Sequence, residues 1–463
     1  MTLLDELWQA PAERVVAFGV EGDLSLADLR SGALQLAARM NGAGATRWAV
    51  CLTDSYHFCQ ALLACALTGH EMILPGHQRP AALAALLAQG AFDGVLSDEP
   101  VDLSCPRLLV DAFAPGVPCS LSQPATDVWP QRSLSPTITL YTSGSSGDPK
   151  PISKQWRQLD AEVRVQRSLW GQCSHGARLY ASVSHQHIYG LLFRILLPLA
   201  LGIPLARRQT DYPEQLQRCH GPWLLVSSPA FLSRLDPALQ SSGCQLLLSS
   251  GGPLAWQDAR QCAALLGQRP VEIYGSSETG GIGWRQRERE DQCWHAFPGM
   301  QLSSGGDQLL TLISPFLPDN TPWLGSDRIA LEQGGQQFHL LGRRDRIIKL
   351  EEKRISLDDV ELRLLSLPWV KEVAVMPLER GGRQVLGVAL VPSAEGQADY
   401  DALGHGPFLQ ALRQRLRPWL EPVALPRSLR MFNTMPLTGA GKRDGVALRH
   451  SFACDITLPE GDA

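Results

Sequence analysis

The sequence is poor in several features that would otherwise define a class. Its eleven cysteines contain no Cys-x-x-C pair and their total is odd, which favours reduced thiols over a disulfide framework or a zinc site. Neither sign of charge is in excess: a net charge of -4 over 463 residues leaves no basic footprint for nucleic acid. The longest apolar run, Tyr189 to Ala206, is interrupted by Arg194, Pro198 and Pro204, so it reads as a buried element and no membrane span is expected. The opening residues, MTLLDELWQAPAER, are acidic and lack a basic stretch followed by an apolar core. No signal peptide is therefore expected, and a cytoplasmic location is. Internal repeats and low-complexity linkers are also missing, so any joint between domains is short.

What is present is the composition of a globular chain, 44% hydrophobic and 19% charged, long enough for two or more domains. Strand-like runs alternate with helical patterns: RWAVCLT, then SYHFCQALLACALTG closed by Gly69, EMILPG, PAALAALLAQG and GVLSD. That order, with glycines ending the helices, predicts an α/β fold whose mainly parallel sheets are flanked by helices. LYASVS, WLLVSS, QLLLSSGG and VEIYGSS read as later strands that run into small or polar residues, where open α/β sheets bind ligands. The charges from Arg285 to Asp291 alternate in sign and are expected on a solvated face.

The texture changes after Gly342. A charged stretch, LGRRDRIIKLEEKRIS, leads into a helix at SLDDVELRLLSL, where Ser356 and Asp359 have the spacing of a capping box. VKEVAVMPL and VLGVALVPS flank a Gly-Gly turn as a hairpin, and FLQALRQRLRPWL is an amphipathic helix. The expected division is a large domain over residues 1–342 and a small α+β domain over 343–463.

The densest cluster of Gly, Ser and Thr is LYTSGSSGDPKPISKQW, Leu140 to Trp156, behind a β-branched run. It is not a Walker loop, because Asp148 and Pro149 separate Gly147 from Lys150 and Pro151 follows the lysine. The G-x-G-x-x-G dinucleotide fingerprint is absent too. Taken alone, the stretch fits an ordinary surface loop and a phosphate cradle equally well.

Tyr141 to Lys150 resembles the phosphate-binding loop of the adenylate-forming enzymes, Y-T-S-G-T-T-G-x-P-K-G, with two Thr-to-Ser exchanges. That superfamily contains the acyl-CoA and acyl-carrier-protein synthetases, luciferases and peptide-synthetase adenylation domains. Further segments follow in the family's order: HIYG at His187–Gly190, SSGGPL at Ser249–Leu254, YGSSE at Tyr274–Glu278 and GSD at Gly325–Asp327. GRRDRIIK at Gly342–Lys349 and PLTGAGKRD at Pro436–Asp444 complete the set, so the resemblance covers nearly the whole chain.

The resemblance implies ATP-dependent activation of a fatty or aromatic carboxylic acid to an acyl-adenylate, then transfer to a thiol. The acceptor is coenzyme A or the phosphopantetheine of an acyl carrier protein. Thr142, Ser143, Gly144, Ser145, Ser146, Gly147 and Lys150 would hold the outer phosphates, and Glu278 with Thr142 would hold magnesium, which prefers oxygen ligands. Gly251, Gly252, Tyr274, Gly275, Ser276 and Ser277 would form the adenine side, and Asp327 with Arg343 the ribose side. Lys442 is the expected main catalytic residue, an ammonium that touches the carboxylate and the α-phosphate together. Glu278, Thr142 and His187 are catalytic candidates beside it, Asp345 stands at the family's hinge, and His187, Ser228, Gly252, Ser276 and Gly280 are the acyl-pocket candidates.

Two positions depart from the pattern. Glu352 replaces a glycine beside which the thiol enters, and Pro151 replaces the glycine after Lys150. The Glu351–Arg354 segment is similar to a variant in synthetases of bacterial acyl-carrier and aryl-polyene type pathways, which makes a carrier protein a candidate acceptor. An adenylating enzyme with another or no second acceptor, and a non-catalytic nucleotide- or acyl-binding relative, are the alternative readings.

Overall fold

The computed structural model describes residues 2–76, 78–110, 135–143, 149–239, 241–332, 334–350, 353–380, 383–438 and 443–453. The chain forms two compact units. One comprises the residues up to Gln301 together with Ile313–Pro322; the other comprises Leu302–Leu312, Trp323–Thr438 and the described residues after Lys442.

In the first unit a six-stranded sheet runs in the order Arg107–Leu109, Gly94–Ser97, Arg47–Cys51, Glu71–Leu74, Thr137–Ser143, Pro149–Gln155. Its neighbours are parallel until the last pair, which is an antiparallel hairpin. The parallel strands are buried runs such as Trp48, Ala49 and Val50, as expected where helices cover both faces. The helix Ser55–Thr68 shows how locally the chain punctuates itself. Asp54 Oδ1 accepts from the Tyr56 N–H at 2.8 Å at its start, and Gly69 ends it in the left-handed conformation at φ 72°.

The second sheet of this unit contains Trp294–Ala296, Gly280–Gln286, Val271–Ser276, Cys244–Ser249, Trp223–Ser227, Arg178–Ala181, Leu205–Ala206, Val15–Gly19 and Gly22–Ser25, in that order. Pairings are parallel in its middle and antiparallel toward both ends. The fold class is therefore the expected α/β, with mainly parallel sheets and flanking helices. The apolar run from Tyr189 is a buried helical segment in which Leu191, Phe193, Ile195 and Leu196 are all core. Its interrupting Arg194 is buried as well.

The second unit begins with antiparallel strands Leu309–Ile313, Trp323–Leu331 and Gln337–Arg343. A short hairpin, Ile347–Leu350 with Lys353–Ser356, leads into the helix Leu357–Leu365, where Ser356 Oγ accepts from the Asp359 N–H at 3.2 Å. The strands Val370–Arg380 and Arg383–Pro392 form the expected hairpin, and Ser428–Met431 joins its second strand in parallel. Helix His405–Leu416 sends Phe408, Leu412 and Leu416 into the core shared with Val360, Val373 and Val388.

The charge run behaves differently from its expectation. Glu288 to Asp291 are exposed, but Arg287 is buried and Arg285 half-buried. Both pair with the buried Glu272, at 2.5 Å and 2.9 Å. The antiparallel register sets Arg285 opposite Glu272, so strand pairing overrides the solvated pattern. The nine described cysteines are all free. No described helix is long and apolar enough to cross a membrane.

Candidate active site

The glycine- and serine-rich stretch is the tip of the hairpin Thr137–Ser143 / Pro149–Gln155. Gly144, Ser145, Ser146 and Gly147 lie outside the described residues, and of Ser143 only its place at the strand end is described. Thr142 is paired with Lys150, with its half-buried hydroxyl 3.5 Å from the Lys150 carbonyl; Lys150 itself is exposed. The strand Pro149–Gln155 lies at the sheet edge, where a proline's missing N–H is tolerated, and Pro151 points outward. The hairpin therefore accommodates the residue that breaks the family pattern.

Inward positions on that edge strand are Ile152 and, unexpectedly, Lys154, only 2% exposed. Its ammonium donates to the main-chain carbonyl of Glu278 at 2.6 Å. Burial pulls the Lys154 ammonium below its ordinary range, against the nearby negative charges of Glu162 and Glu278. The edge strand, through Lys154, and the helix Trp156–Trp170 that follows it, through Glu162, thus reach the Tyr274–Gly281 turn.

That turn is built from its own hydroxyls. Ser276 Oγ and Thr279 Oγ1 are 3.0 Å apart, and each receives the other residue's backbone N–H at 3.2 Å. A Cβ at Gly275 would collide with the Gly280 carbonyl, which explains the glycine after Tyr274. Gly280 is left-handed at φ 72°, and a Cβ there would strike the Glu162 carboxylate. The Glu162 carboxylate accepts from the Gly281 N–H at 2.7 Å; burial raises its pKa, and that hydrogen bond and the Lys154 charge oppose the rise. Glu278 leaves the turn with its side chain half-buried, as does Ser277.

In the loop after Ser249, a Cβ at Gly251 or Gly252 would meet open space. Ser250 Oγ donates to the Ile273 carbonyl at 2.8 Å, tying this loop to the strand that carries Tyr274. Arg287 Nη2 donates to the Leu254 carbonyl at 2.8 Å at the loop's other end. The Tyr274 ring is tilted against Trp294 at 5.7 Å between centroids.

His187 sits at the start of the helical segment Ile188–Gly190, with its ring near Gly76. Gly190 is required because a Cβ would overlap the Ser184 carbonyl. The neighbouring histidine, His185, is structural: its Nε2–H donates to the Leu52 carbonyl at 2.7 Å. Burial, helped by the Arg194 charge, depresses its pKa to about 3, so it is neutral at ordinary pH. Arg194 donates to Ser55 Oγ at 2.9 Å and to the Val183 carbonyl at 2.7 Å, filling the polar interior behind His187. Ser228 is half-buried and precedes the short helix Pro229–Leu232.

In the second unit, Asp327 and Arg343 are direct partners on neighbouring strands, their charged groups 3.6 Å apart. Asp345 lies in the single turn Arg344–Arg346 that follows, and its side chain is outside the described residues. Arg346 pairs with Asp358 and, at 2.5 Å, with Glu361, which also accepts from Arg443 at 3.0 Å. Lys442 and Glu352 lie outside the described residues, but the base of the Lys442 loop is defined by the bridge between Leu437 and Arg443. The motifs missed Lys154, Glu162, Arg194 and Arg287. Only Arg287 carried a local signal, since it stands two residues after Arg285 in the charge run.

A magnesium ion would need oxygen ligands, and the half-buried Glu278 carboxylate and Thr142 hydroxyl are of that kind. Among the described residues no group of three or more His, Cys, Asp or Glu could hold a metal. That donor set fits an ion held largely by nucleotide phosphates better than a resident metal cage.

The chain resembles known proteins in sequence and in fold. A 4-coumarate--CoA ligase from Cereibacter sphaeroides is 28% identical over 313 residues, covering 66% of this chain and 69% of its own. A probable 2-succinylbenzoate--CoA ligase from Mycobacterium tuberculosis is 29% identical over 339 residues, 68% of this chain and 84% of its own. ATP-bound MatB from Rhodopseudomonas palustris superposes with a TM-score of 0.80 at 17% identity, covering 98% of this chain and 99% of its own, and so shares the fold. The profile of the family described as AMP-binding enzyme matches residues 5–302, from the first helix to the end of the sheet that carries Tyr274 and Glu278. That match spans well over half of the sequence, and the chain belongs to the AMP-binding enzyme family.

Proposed function

We propose that the protein is an ATP-dependent acid–thiol ligase. It joins a carboxylic acid to AMP and passes the acyl group to a thiol, of coenzyme A or of a carrier protein's phosphopantetheine. The observation that carries the reading is the junction in one unit of the Thr142 hairpin with the Glu278 turn through Lys154. A loop for phosphates and a carboxylate for their counter-ion thereby belong to one rigid piece. Two relatives named for 4-coumarate and 2-succinylbenzoate support an aromatic acid over a fatty one.

In this mechanism a carboxylate oxygen attacks the α-phosphorus, and the bond to pyrophosphate breaks. Two anions must meet, so positive charge and dry alignment are the catalytic needs. Residues Thr142 to Gly147 and Lys150 bind the β- and γ-phosphates with hydroxyls, amides and one cation. Glu278 and Thr142 would hold a magnesium ion, whose charge would neutralise phosphate oxygens. Tyr274 and the open face at Gly251–Gly252 take the adenine, and Asp327 accepts from the ribose hydroxyls with Arg343 beside it. Lys442 stabilises the charge on the α-phosphate as the new bond forms. In the second step the thiol sulfur bonds to the acyl carbon, AMP leaves, and the thiol proton goes to solvent. The small domain, residues 343–463, turns about Asp345 between the two steps.

The test is acid-dependent ATP–pyrophosphate exchange over a panel of aromatic and fatty acids, followed by transfer to coenzyme A or to a holo carrier protein. Exchange with at least one acid and formation of its thioester are expected. Nucleotide binding without exchange for any acid would replace this reading with that of a binding relative. Exchange without a thioester would restrict it to adenylation.

A further inference from the structure

Two charged side chains outside every motif are buried where the nucleotide hairpin meets the Glu278 turn. Lys154 sits on the inward face of the edge strand, opposite Ile138, and donates to the Glu278 carbonyl at 2.6 Å. Glu162 is 3% exposed on the following helix, Trp156–Trp170, among Trp156, Leu159 and Val163. It accepts from the Gly281 N–H at 2.7 Å, with Gln166 Nε2 at 3.5 Å. One four-residue turn is thus gripped at its start by a cation and at its end by an anion. Both come from a segment more than a hundred residues away in sequence. Burying either ion alone is costly, and apolar residues of similar volume often serve stability as well or better. Core packing alone therefore does not account for the pair.

We propose that Lys154 and Glu162 are positioning residues that fix the Glu278–Gly281 turn on the nucleotide hairpin and so set where the Glu278 carboxylate stands relative to Thr142. The inference rests on the reading above, in which Glu278 holds the metal that accompanies the nucleotide. Lys154 and Thr142 belong to the two strands of one hairpin, whose register runs unbroken from Thr137 with Gln155 to Ser143 with Pro149. The carbonyl that Lys154 holds is that of Glu278 itself, so the carboxylate's starting point is defined by the strand that carries the phosphate loop. Glu162 prevents the other end of the turn from swinging away.

The test compares full-length variants by calorimetric titration of magnesium into enzyme with a non-hydrolysable ATP analogue, and by kcat and KM in exchange. Lys154→Met/Glu162→Leu removes both charges and both grips while keeping apolar volume; Lys154→Met/Glu162→Gln restores an acceptor for Gly281; Glu278→Gln is the reference. The first variant is expected to remain folded, to need about tenfold more magnesium, and to lose kcat about 10- to 100-fold with the acid KM unchanged. The second is expected to recover part of both losses, which an effect on packing alone would not produce. Should the first variant fail to fold, the second against wild type carries the same comparison, with a smaller shift expected. A folded Lys154→Met/Glu162→Leu variant with wild-type magnesium dependence, beside a Glu278→Gln variant that is shifted, would overturn the positioning role alone. An unshifted Glu278→Gln variant would overturn the metal reading and this inference with it.

Discussion

Two glycine turns in this molecule are held by charged side chains in opposite ways. At Gly280 the holders are Lys154 and Glu162, nearly sealed from solvent, each with a single main-chain atom of the turn to grip. At Gly342 the holders form a partly exposed network. Asp358 receives the Arg343 N–H at 3.1 Å and the Arg346 guanidinium, and Glu361 is shared between Arg346 and Arg443. A buried ion that loses its partner is strongly penalised, so the first turn is locked. Half-exposed arginines can exchange carboxylates while keeping contact with water, so the second turn can change its backbone at small cost. Rigid placement suits a carboxylate beside phosphates, and exchangeable pairing suits the proposed hinge at Asp345.

The largest expected effect breaks this comparison at its glycines. Gly280→Ala adds a left-handed strain and a methyl on a carboxylate that cannot move, and should lower stability by about 3 kcal/mol or more. Gly342→Ala is strained at φ 95°, but its Cβ would stand 2.7 Å from Asp358 Oδ2, a partly exposed group free to swing. It should lose about 1–2 kcal/mol. Urea midpoints measure both, and equal losses would erase the distinction.

Next comes His185, a titratable group buried as completely as Lys154. Its folded pKa is depressed, to about 3, so its contribution is present above the unfolded pKa and lost as pH falls below about 6.5. Between pH 6.5 and 5 the wild type should lose about 2 kcal/mol relative to His185→Gln. Melting curves at the two pH values decide it, and parallel losses in both proteins would contradict the burial argument.

The smallest effect separates the two networks by salt. Arg346→Gln should cost about 1 kcal/mol at low ionic strength and less in 1 M NaCl, because its pairs are partly exposed. The cost of Lys154→Met should not respond to salt. Melting in both buffers checks the pair of variants, and a salt-sensitive Lys154→Met would place Lys154 in the exposed class.

Elements with their own punctuation were legible in the sequence. Asp54 and Gly69 bracket a helix, and buried runs such as WLLVSS and QLLLSS can only be inner strands. The residues of Tyr274–Glu278 and of Asp327 with Arg343 were legible as motifs, because glycine and carboxylate positions there answer to local geometry. Lys154 and Glu162 were not, since each binds a main-chain atom far away and a backbone partner leaves no sequence signature. Arg194 read only as an interruption of an apolar run, because its partners are the distant Ser55, a carbonyl and the Gln209 side chain. The texture of the chain shifts at Gly342, whereas the antiparallel strands from Leu309 to Arg343 group with the later residues. Compactness follows pairing, which composition does not reveal.

If these residues activate a carboxylic acid as its adenylate, mass detection should find that adenylate. Enzyme, magnesium, ATP and an acid active in exchange would be mixed with no thiol present, and the quenched mixture analysed for acyl-AMP. About one acyl-AMP per wild-type enzyme is expected, released as thioester when thiol is added, with little or none from Lys442→Ala although it still binds ATP. ATP consumed without acyl-AMP, or equal acyl-AMP from Lys442→Ala, would contradict that activation.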